Sequence, residues 1–250
     1  MKDIKAQFAS AKEGEYNALF QHYENDERSG VQKLIRQYRK KLDALEKERE
    51  RTEIMKEYEH KYEHLGYLCG IDEVGRGPLA GPVVACAVIL PKDCDILWLN
   101  DSKKLSEKKR EALFDIIIEK AVSYSVAFAD HREIDEINIL NATFLAMKRA
   151  AEGLVIPADF ALVDGNRQPK GFSIPCQTIV KGDGISASIA AASVLAKVSR
   201  DRMMIKADEI YPEYMFAKHK GYGTALHCEL LNKYGPCPIH RLTFLKKVLK

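Results

Sequence analysis

The sequence predicts an α/β protein in which helices cover the faces of a β-sheet. Three apolar segments, at 67–74, 83–90 and 123–129, have the composition of consecutive β-strands. Helical and strand patterns then alternate up to about residue 180, and amphipathic helices follow. Alternation of this kind is typical of a sheet with helices packed on it.

Each strand is predicted from its own pattern. Tyr67–Val74 and Val83–Leu90 are strongly apolar and are separated by a segment rich in glycine and proline, as expected of a turn. Ser123–Ala129 alternates large and small side chains, which indicates a strand with two different faces. Phe160–Val163 and Ile174–Val180 are short apolar runs followed by glycine and aspartate, which indicates two further strands.

The helices of this part of the chain follow from spacing and capping signals. Ser106 is a plausible N-cap for a helix that continues to Lys120. A long helix rich in alanine and serine in its first half is predicted to end at about Ile210, because Pro212 follows. The remaining predicted helices span about Ile139–Gly153, Ala225–Tyr234 and Arg241–Leu249.

Residues 1–65 are predicted to form a charged helical N-terminal extension, and residues 66–250 the main domain. Val31–Leu65 contains neither glycine nor proline, and its apolar residues recur at helical spacing. One interpretation is a helical hairpin or a partly mobile extension. The other is an accessory surface that grips nucleic acid through four basic side chains, Arg36, Arg39, Lys40 and Lys41.

Composition limits the classes of function. The chain has 250 residues, and its net charge of only +3 does not by itself predict nucleic-acid binding. None of the six cysteines forms a C-x-x-C pair, so a zinc site is not expected, and Cys69 and Cys86 read as reduced core residues. We expect a cytoplasmic protein with no membrane segment, because no apolar run is long enough to span a bilayer.

Four carboxylates, Asp72, Glu73, Asp164 and Asp183, lie at or near the ends of strand candidates, beside glycines. Acids at one edge of a sheet repel one another unless a cation neutralises them, and oxygen ligands favour Mg²⁺ or Mn²⁺. Two such ions would suit phosphodiester cleavage. Taken singly, each acid is more simply a turn or surface residue. Because neighbours in a strand point to opposite faces, Asp72 and Glu73 share a site only if the strand ends, bulges or twists, or if the ions reach around its edge.

The segment Gly75-Arg76-Gly77 directly follows the first acids. Glycines let a ligand approach the main chain, and free amides there can contact ribose hydroxyls or phosphates. Lys103, in a loop before a helix, could contact phosphate or simply be solvated. Tyr222 lies between glycines in a basic loop, where an aromatic ring can stack on a base or sugar.

Taken together, these motifs resemble ribonuclease HII, the bacterial type 2 ribonuclease H. The motifs, in order along the chain, are GIDEVGRGPLAGP at 70–82, NDSKKLS at 100–106, VDG at 163–165, VKGD at 180–183, AAASVLAKVSRD at 190–201 and HKGYGT at 219–224. The resemblance implies a ribonuclease H-like mixed sheet flanked by helices, with a helical C-terminal region. It also implies endonucleolytic cleavage of RNA in RNA–DNA hybrids and at ribonucleotides embedded in duplex DNA, which leaves 3′-hydroxyl and 5′-phosphate ends.

The resemblance also implies roles for particular residues. Asp72, Glu73, Asp164 and Asp183 match the metal-binding acids of the family. Gly75, Arg76 and Gly77 match the segment that recognises the 2′-hydroxyl at an RNA–DNA junction, and Tyr222 matches the tyrosine that senses it. Lys103, Ser193 and Lys197 are weaker substrate-contact candidates, whereas Asp201 is expected to form a local ion pair.

Two other functions remain open at this stage. Ribonuclease HIII, a hybrid nuclease without junction specificity, tends to lack the arginine between the glycines and has a larger folded N-terminal domain. A non-catalytic nucleic-acid-binding protein would leave the acids without a role. The resemblance covers about residues 66–241, does not account for the N-terminal extension, and identifies no protein partner.

Overall fold

The computed structural model describes residues 1–246 and residue 248, and the chain divides into two compact units, Met1–Glu53 and Ile54–Lys250. The smaller unit consists of helices α1 (Lys2–Ser10), α2 (Tyr16–Tyr23) and α3 (Ser29–Ile54), the last of which ends one residue beyond it. Phe8 is fully buried among aromatic rings of all three helices, with its ring centroid 5.1 Å from that of Tyr38. These helices therefore enclose a hydrophobic core of their own.

The larger unit is built on a mixed five-stranded sheet. Its strands lie in the order β3-β2-β1-β4-β5, in which β1 pairs antiparallel with β2 and parallel with β4. The β2–β3 pair is antiparallel and the β4–β5 pair is parallel. This sheet, with helices on its faces, confirms the predicted fold class. The strands are β1 (Leu68–Val74), β2 (Val83–Ile89), β3 (Ser123–Ala129), β4 (Phe160–Asp164) and β5 (Cys176–Ile179).

Helices cover both faces of this sheet. One face packs on α6, and the opposite face packs on α5 and α7, with a separate hydrophobic cluster on each side. No helix within residues 1–246 has both the length and the apolar character needed to cross a membrane. The helices of this unit are α4 (Glu57–Tyr62), α5 (Glu107–Lys120), α6 (His131–Glu152), α7 (Ala187–Ile210), α8 (Phe216–His219), α9 (Ala225–Tyr234) and α10 (Leu242–Leu245).

The helix bounds confirm some predictions and correct another. Ser106 caps α5 as predicted, because its hydroxyl accepts the amide of Lys109. The helix predicted from about Ile139 corresponds to the second of two segments in α6, which are separated at Asn138, and the first segment was not predicted. The helix begins at His131, where Asp130 and Glu133 form a reciprocal capping box, and a non-helical Asn138 interrupts it. The last predicted helix extends to residues 247 and 249, which lie outside the described residues.

Helix α7 packs directly against β1. A Cβ atom at Gly70 would lie 2.1 Å from the carbonyl carbon of Ser188, so only glycine permits this approach. The alanines at 190–192 are fully buried in the same contact. The close packing brings Ser193 of α7 beside Asp72 of β1.

Candidate functional site

Three carboxylates meet at the edge of the sheet where β4 ends. Oxygen atoms of Asp72, Glu73 and Asp164 all lie within 4.8 Å of one another, close enough to ligate a shared cation. Asp72 is only 4% exposed. One of its oxygens accepts the amide of Glu73 at 2.7 Å, and Asp164 accepts the amide of Gly182 at 2.7 Å. Three of the four predicted acids therefore form one cluster, fixed by bonds to the main chain.

The strand geometry explains how adjacent acids reach one site. β1 stays in unbroken register with β2 through Asp72 and Glu73, so the strand neither ends nor bulges there. On its other side, the pairing of β1 with β4 stops at Ile71 opposite Val163. The two side chains start on opposite faces, and Asp164, the last residue of β4, directly follows the final pair between β4 and β1. Of the alternatives posed by the sequence, the carboxylates converge around the strand edge.

Burial and mutual repulsion disfavour ionisation of this cluster. The pKa of Asp72 lies well above its ordinary value because of burial and the nearby Glu73 and Asp164 carboxylates. Burial and Asp164 likewise raise the pKa of Glu73, although Arg76 partly opposes them. A group of carboxylate oxygens that repel one another fits a hard divalent cation, because the positive charge of the cation would stabilise the ionised acids. The donor chemistry therefore fits Mg²⁺ or Mn²⁺.

The fourth acid, Asp183, lies outside the tight cluster but is linked to it. It belongs to a short turn of helix whose Gly182 amide binds Asp164. Burial, Asp101 and Asp164 raise the pKa of the Asp183 carboxyl group. Asp101, which was not identified from the sequence, shares a hydrogen bond with Asp183 and also accepts the amide of Lys103 at 2.9 Å.

Two basic side chains flank the acids. Lys103 Nζ lies 4.0 Å from Asp183 Oδ2, and its side chain is largely exposed. Burial alone would lower the pKa of Lys103, but nearby carboxylates, Asp101 and Asp72 foremost, outweigh it and raise that pKa. Arg76 contacts Glu73 at 3.2 Å and is half-exposed. Both cations could therefore face a ligand bound over the acids.

Ser193 and Lys197 are held by protein partners. Ser193 is 3% exposed and hydrogen-bonds with Asp72, and its hydroxyl oxygen lies 2.9 Å from that of Ser102. Lys197 forms a 2.6 Å ion pair with Asp201, which confirms the local pairing predicted for that acid. These contacts place Ser193 behind Asp72, as an orienting group.

The Gly75-Arg76-Gly77 loop is held by a buried arginine. Arg241 is fully buried and donates to the carbonyl oxygens of Gly75 at 2.6 Å, Arg76 at 2.9 Å and Gly81 at 2.9 Å. Burial lowers the pKa of Arg241 to about 9. The carbonyl groups of Gly75 and Arg76 point towards this guanidinium. The amide groups of the loop are therefore the main-chain groups available to a ligand.

A second buried arginine connects this loop with Tyr222. Arg200 donates to the carbonyl oxygens of Pro82 at 3.0 Å and Lys220 at 2.9 Å, and its guanidinium lies 5.6 Å from the centre of the Tyr222 ring. The Tyr222 side chain remains 38% exposed. Neither Arg200 nor Arg241 was identified from the sequence. Arg200 lies within the motif at 190–201 and Arg241 lies outside every motif, and nothing in a sequence marks an arginine as buried.

Comparisons with known proteins agree with this arrangement. A family model described as Ribonuclease HII matches residues 69–247, and a second one, Ribonuclease HII N-terminal domain, matches residues 1–63. The chain belongs to the ribonuclease HII family. The expectation that the resemblance leaves the N-terminal extension unexplained was therefore wrong, because the family includes such a domain.

Individual relatives support the same assignment. The chain is 50% identical to Ribonuclease HII of Lachnoclostridium phytofermentans over 248 residues, which cover 99% of this chain and 97% of that protein. The crystal structure of ribonuclease H2 from Pyrococcus horikoshii is 29% identical, with a TM-score of 0.60, and covers 72% of this chain and 96% of its own. Bst ribonuclease HIII in complex with Mn²⁺ shares the fold at 17% identity and a TM-score of 0.56, over 67% of this chain and 61% of its own.

Family membership establishes the class of activity. The protein is a hydrolytic endoribonuclease that acts on RNA–DNA hybrids, as predicted. It has a candidate carboxylate metal site at Asp72, Glu73 and Asp164. The assignment excludes the non-catalytic binding protein.

Proposed function

We propose that Asp72, Glu73, Asp164 and Asp183 bind Mg²⁺ or Mn²⁺, two ions in the working enzyme, and are its catalytic residues. The observation that carries this proposal is the convergence of three carboxylates within 4.8 Å beside the glycine-arginine-glycine loop. When bound, such ions activate water and stabilise the charge that develops on the leaving oxygen. Asp183, whose turn is bonded to Asp164 through the Gly182 amide, would serve as a ligand on one side of the cluster.

The residues of the chain have distinct parts in this reaction. Ser193 and the Glu73 amide orient the Asp72 carboxylate, and Gly182 orients that of Asp164. Lys103 and Arg76 carry exposed positive charge beside the acids, where a phosphate would lie. Hydrolysis breaks the bond between phosphorus and O3′, so the products are a 3′-hydroxyl and a 5′-phosphate.

We also propose that the enzyme cuts at single ribonucleotides in duplex DNA. Within the described residues, the amides of Arg76 and Gly77 donate to no protein acceptor, whereas Arg241 occupies the carbonyls of Gly75 and Arg76. Free amides can bind a ribose 2′-hydroxyl, which distinguishes RNA from DNA. Tyr222, exposed beside this loop, would stack on the sugar that follows.

The remaining assignments concern contacts and cellular context. Lys197 is a weaker substrate contact, reached when its pairing with Asp201 loosens. Arg36, Arg39, Lys40 and Lys41 of the N-terminal unit would contact phosphates along the duplex. The proposed functional division is an N-terminal extension at 1–65 and a catalytic domain at 66–250, which differs from the division of the compact units after Glu53. The enzyme would work in the cytoplasm.

A nicking assay tests the proposal. The protein is incubated with duplex DNA that carries one ribonucleotide, with a uniform RNA–DNA hybrid and with an all-DNA duplex, in Mg²⁺, Mn²⁺ or EDTA. We expect metal-dependent cleavage of the first two substrates only, with ends that a DNA ligase accepts. Cleavage of the hybrid without cleavage at the single ribonucleotide would refute junction recognition and favour activity of the ribonuclease HIII type. Full activity in EDTA would refute the metal site.

A further inference from the structure

Three buried histidines lie beneath the Tyr222 loop. His227 is 0% exposed, His240 is 1% exposed and His219 is 8% exposed. The rings of His227 and His219 are stacked with centroids 4.3 Å apart, and Phe216 packs against both. Histidines at such depth must satisfy their ring nitrogens within the protein, so their hydrogen bonds reveal which nitrogens carry protons.

The proton positions can be assigned from the first bond. Nδ1 of His227 lies 3.0 Å from the carbonyl oxygen of Tyr222. A carbonyl oxygen can only accept, so Nδ1 carries the hydrogen and Nε2 of the neutral ring is left as an acceptor. Nε2 of His240 lies 3.0 Å from that atom and must therefore donate to it.

The same logic fixes the other end. With its hydrogen on Nε2, neutral His240 accepts at Nδ1, and the amide of Cys237 donates to it at 2.9 Å. The carbonyl oxygen of Cys237, 3.3 Å from the same nitrogen, then receives no hydrogen bond from the ring. The result is a chain with one direction, from the Cys237 amide through His240 and His227 to the Tyr222 carbonyl.

The two ends of this chain belong to different loops. The Tyr222 peptide is held on both sides, since its amide donates to the His219 carbonyl at 2.9 Å and its carbonyl also accepts the Thr224 amide at 2.8 Å. At the other end, His240 forms an antiparallel bridge with Ala80. Ala80 belongs to the segment that follows the Gly75-Arg76-Gly77 loop, so the imidazole pair joins the two loops.

We propose that His227 and His240 are positioning residues that hold Tyr222 in a fixed relation to the Gly75-Arg76-Gly77 loop, and thereby determine how well the enzyme selects an RNA–DNA junction. This inference rests on the proposed function, in which Tyr222 and the loop contact the junction. Neither imidazole reaches the surface, so both act through the Tyr222 main chain.

A purely packing role would not require this arrangement. Phenylalanine would fill the same volume, whereas a directed chain needs two neutral rings in fixed tautomers. Burial lowers the pKa of both His227 and His240 to about 4, which keeps them neutral at ordinary pH. His219 disfavours charge on each ring, and His131 also opposes charge on His240.

The charged side chains near the three histidines act on His219. Among the described residues, no carboxylate is a partner of His227 or His240. Asp208 of α7 favours a charge on His219, and Lys220 opposes it. Protonation of His227 would put hydrogens on both facing Nε2 atoms and break the link between the rings. Protonation of His240 would instead put a hydrogen on its Nδ1, against the Cys237 amide that donates there. Junction selection should therefore be constant near neutral pH and decrease in acid, as this pair becomes charged.

Two variants of His227 separate positioning from packing. In His227→Asn, the side-chain amide can take the place of Nδ1–H and donate to Tyr222, whereas His227→Phe keeps the ring volume and donates nothing. kcat and KM are measured for both variants on duplex DNA with one ribonucleotide and on a uniform hybrid. Hydrogen exchange of residues 219–224 is measured on the same proteins.

We expect His227→Phe to raise KM for the single-ribonucleotide duplex about tenfold, because small displacements of a substrate-contacting group are costly. Its kcat on the hybrid should stay within about threefold of wild type, and exchange at 219–224 should increase. His227→Asn should recover part of both properties, because it keeps the donor to Tyr222 but has no acceptor for His240. The wild-type ratio of cleavage rates on the two substrates should be level from pH 6 to 9 and decrease towards pH 4. The ratio cancels titration of the metal site.

Several results would overturn the proposal. Unchanged selectivity and exchange in His227→Phe would do so, as would equal losses in His227→Asn and His227→Phe. If the wild type does not cleave at a single ribonucleotide, junction recognition fails, and hydrogen exchange alone then decides positioning. If His227→Phe does not fold, His240→Gln, which keeps a donor towards His227, and His240→Leu, which does not, give the same comparison.

Discussion

Replacement of Gly75 by alanine tests whether the recognition loop depends on the buried arginine behind it. Gly75 has φ of +89°, and an added Cβ would lie 2.2 Å from Nε of Arg200 and 2.8 Å from the carbonyl oxygen of Pro82. The positive φ alone costs an L-residue about 1–2 kcal/mol. Displacement of Arg200 would also break its 3.0 Å hydrogen bond to Pro82, a charged buried bond worth about 1.5–3 kcal/mol.

The sum predicts that Gly75→Ala lowers the free energy of unfolding by about 2.5–5 kcal/mol. Gly77→Ala, in the same loop, is the matched control, because no atom lies within 4 Å of its added Cβ. Its stability should change by less than about 0.5 kcal/mol. Urea unfolding in EDTA measures both values.

The two variants should differ in stability but share a functional defect. Gly77→Ala should fold normally and still cleave the single-ribonucleotide duplex more slowly, because its Cβ would obstruct approach to the loop amides. If Gly75→Ala unfolds at the wild-type urea concentration, the proposed conflict with Arg200 is wrong. If Gly77→Ala cleaves both substrates at wild-type rates, the loop does not contact the substrate.

Four further predictions concern separate parts of the molecule. Asp72→Asn should abolish cleavage but raise the free energy of unfolding in EDTA by about 1 kcal/mol, because it removes a buried carboxylate whose pKa is raised. A lower free energy of unfolding would contradict this reasoning. Because burial lowers the pKa of His227 to about 4 from the usual 6.5, the unfolded chain gains protons first as pH falls. Between about pH 6.5 and 4, the free energy of unfolding of the wild type should therefore decrease relative to that of His227→Asn, by at most about 1.4 kcal/mol per pH unit for one proton. Urea unfolding at several pH values measures this difference, and a difference that does not change with pH would refute the prediction. Arg241→Lys should leave at least one of the three loop carbonyls without its donor, and should therefore raise KM for the single-ribonucleotide duplex about tenfold in steady-state kinetics. A wild-type KM would show that the loop does not need this support. The double variant Lys40→Glu, Lys41→Glu should bind the hybrid more weakly. The plot of log binding constant against log salt concentration should become shallower by about 1 for each phosphate that the variant no longer neutralises. An unchanged slope in a salt titration would show that these two lysines do not contact the nucleic acid.

The sequence allowed the sheet and its order of elements to be predicted because the strands are strongly apolar and are separated by glycine and proline. The first segment of α6 was missed because its start is marked by the capping box of Asp130 and Glu133, whereas the prediction rested on the apolar stripe that follows Asn138. Likewise, the convergence of Asp72 and Glu73 depends on β4 stopping two residues before β1, a matter of tertiary pairing that periodicity does not encode.

The acids of the site could be named from the sequence because carboxylates beside glycines at strand ends form a recognisable pattern. The buried groups that hold the Gly75-Arg76-Gly77 loop and Tyr222 could not be named in this way. Nothing in the sequence distinguishes Arg200, Arg241 and His240 from other polar residues. They are important because they are fully buried and bond to backbone carbonyls or to another imidazole. Such burial results from packing between segments more than 100 residues apart in the chain, as with the bond from Arg241 to Gly75.

We propose that the acid cluster is the site of catalysis, and Asp164→Asn tests that assignment most directly. The asparagine oxygen can still accept the Gly182 amide, so the turn that holds Asp183 is preserved while the charge is removed. Under single-turnover conditions with saturating Mn²⁺, we predict roughly a 100- to 1,000-fold slower cleavage of the RNA–DNA hybrid, with an unchanged urea midpoint. A folded Asp164→Asn protein that cleaves within about threefold of the wild-type rate would contradict the assignment.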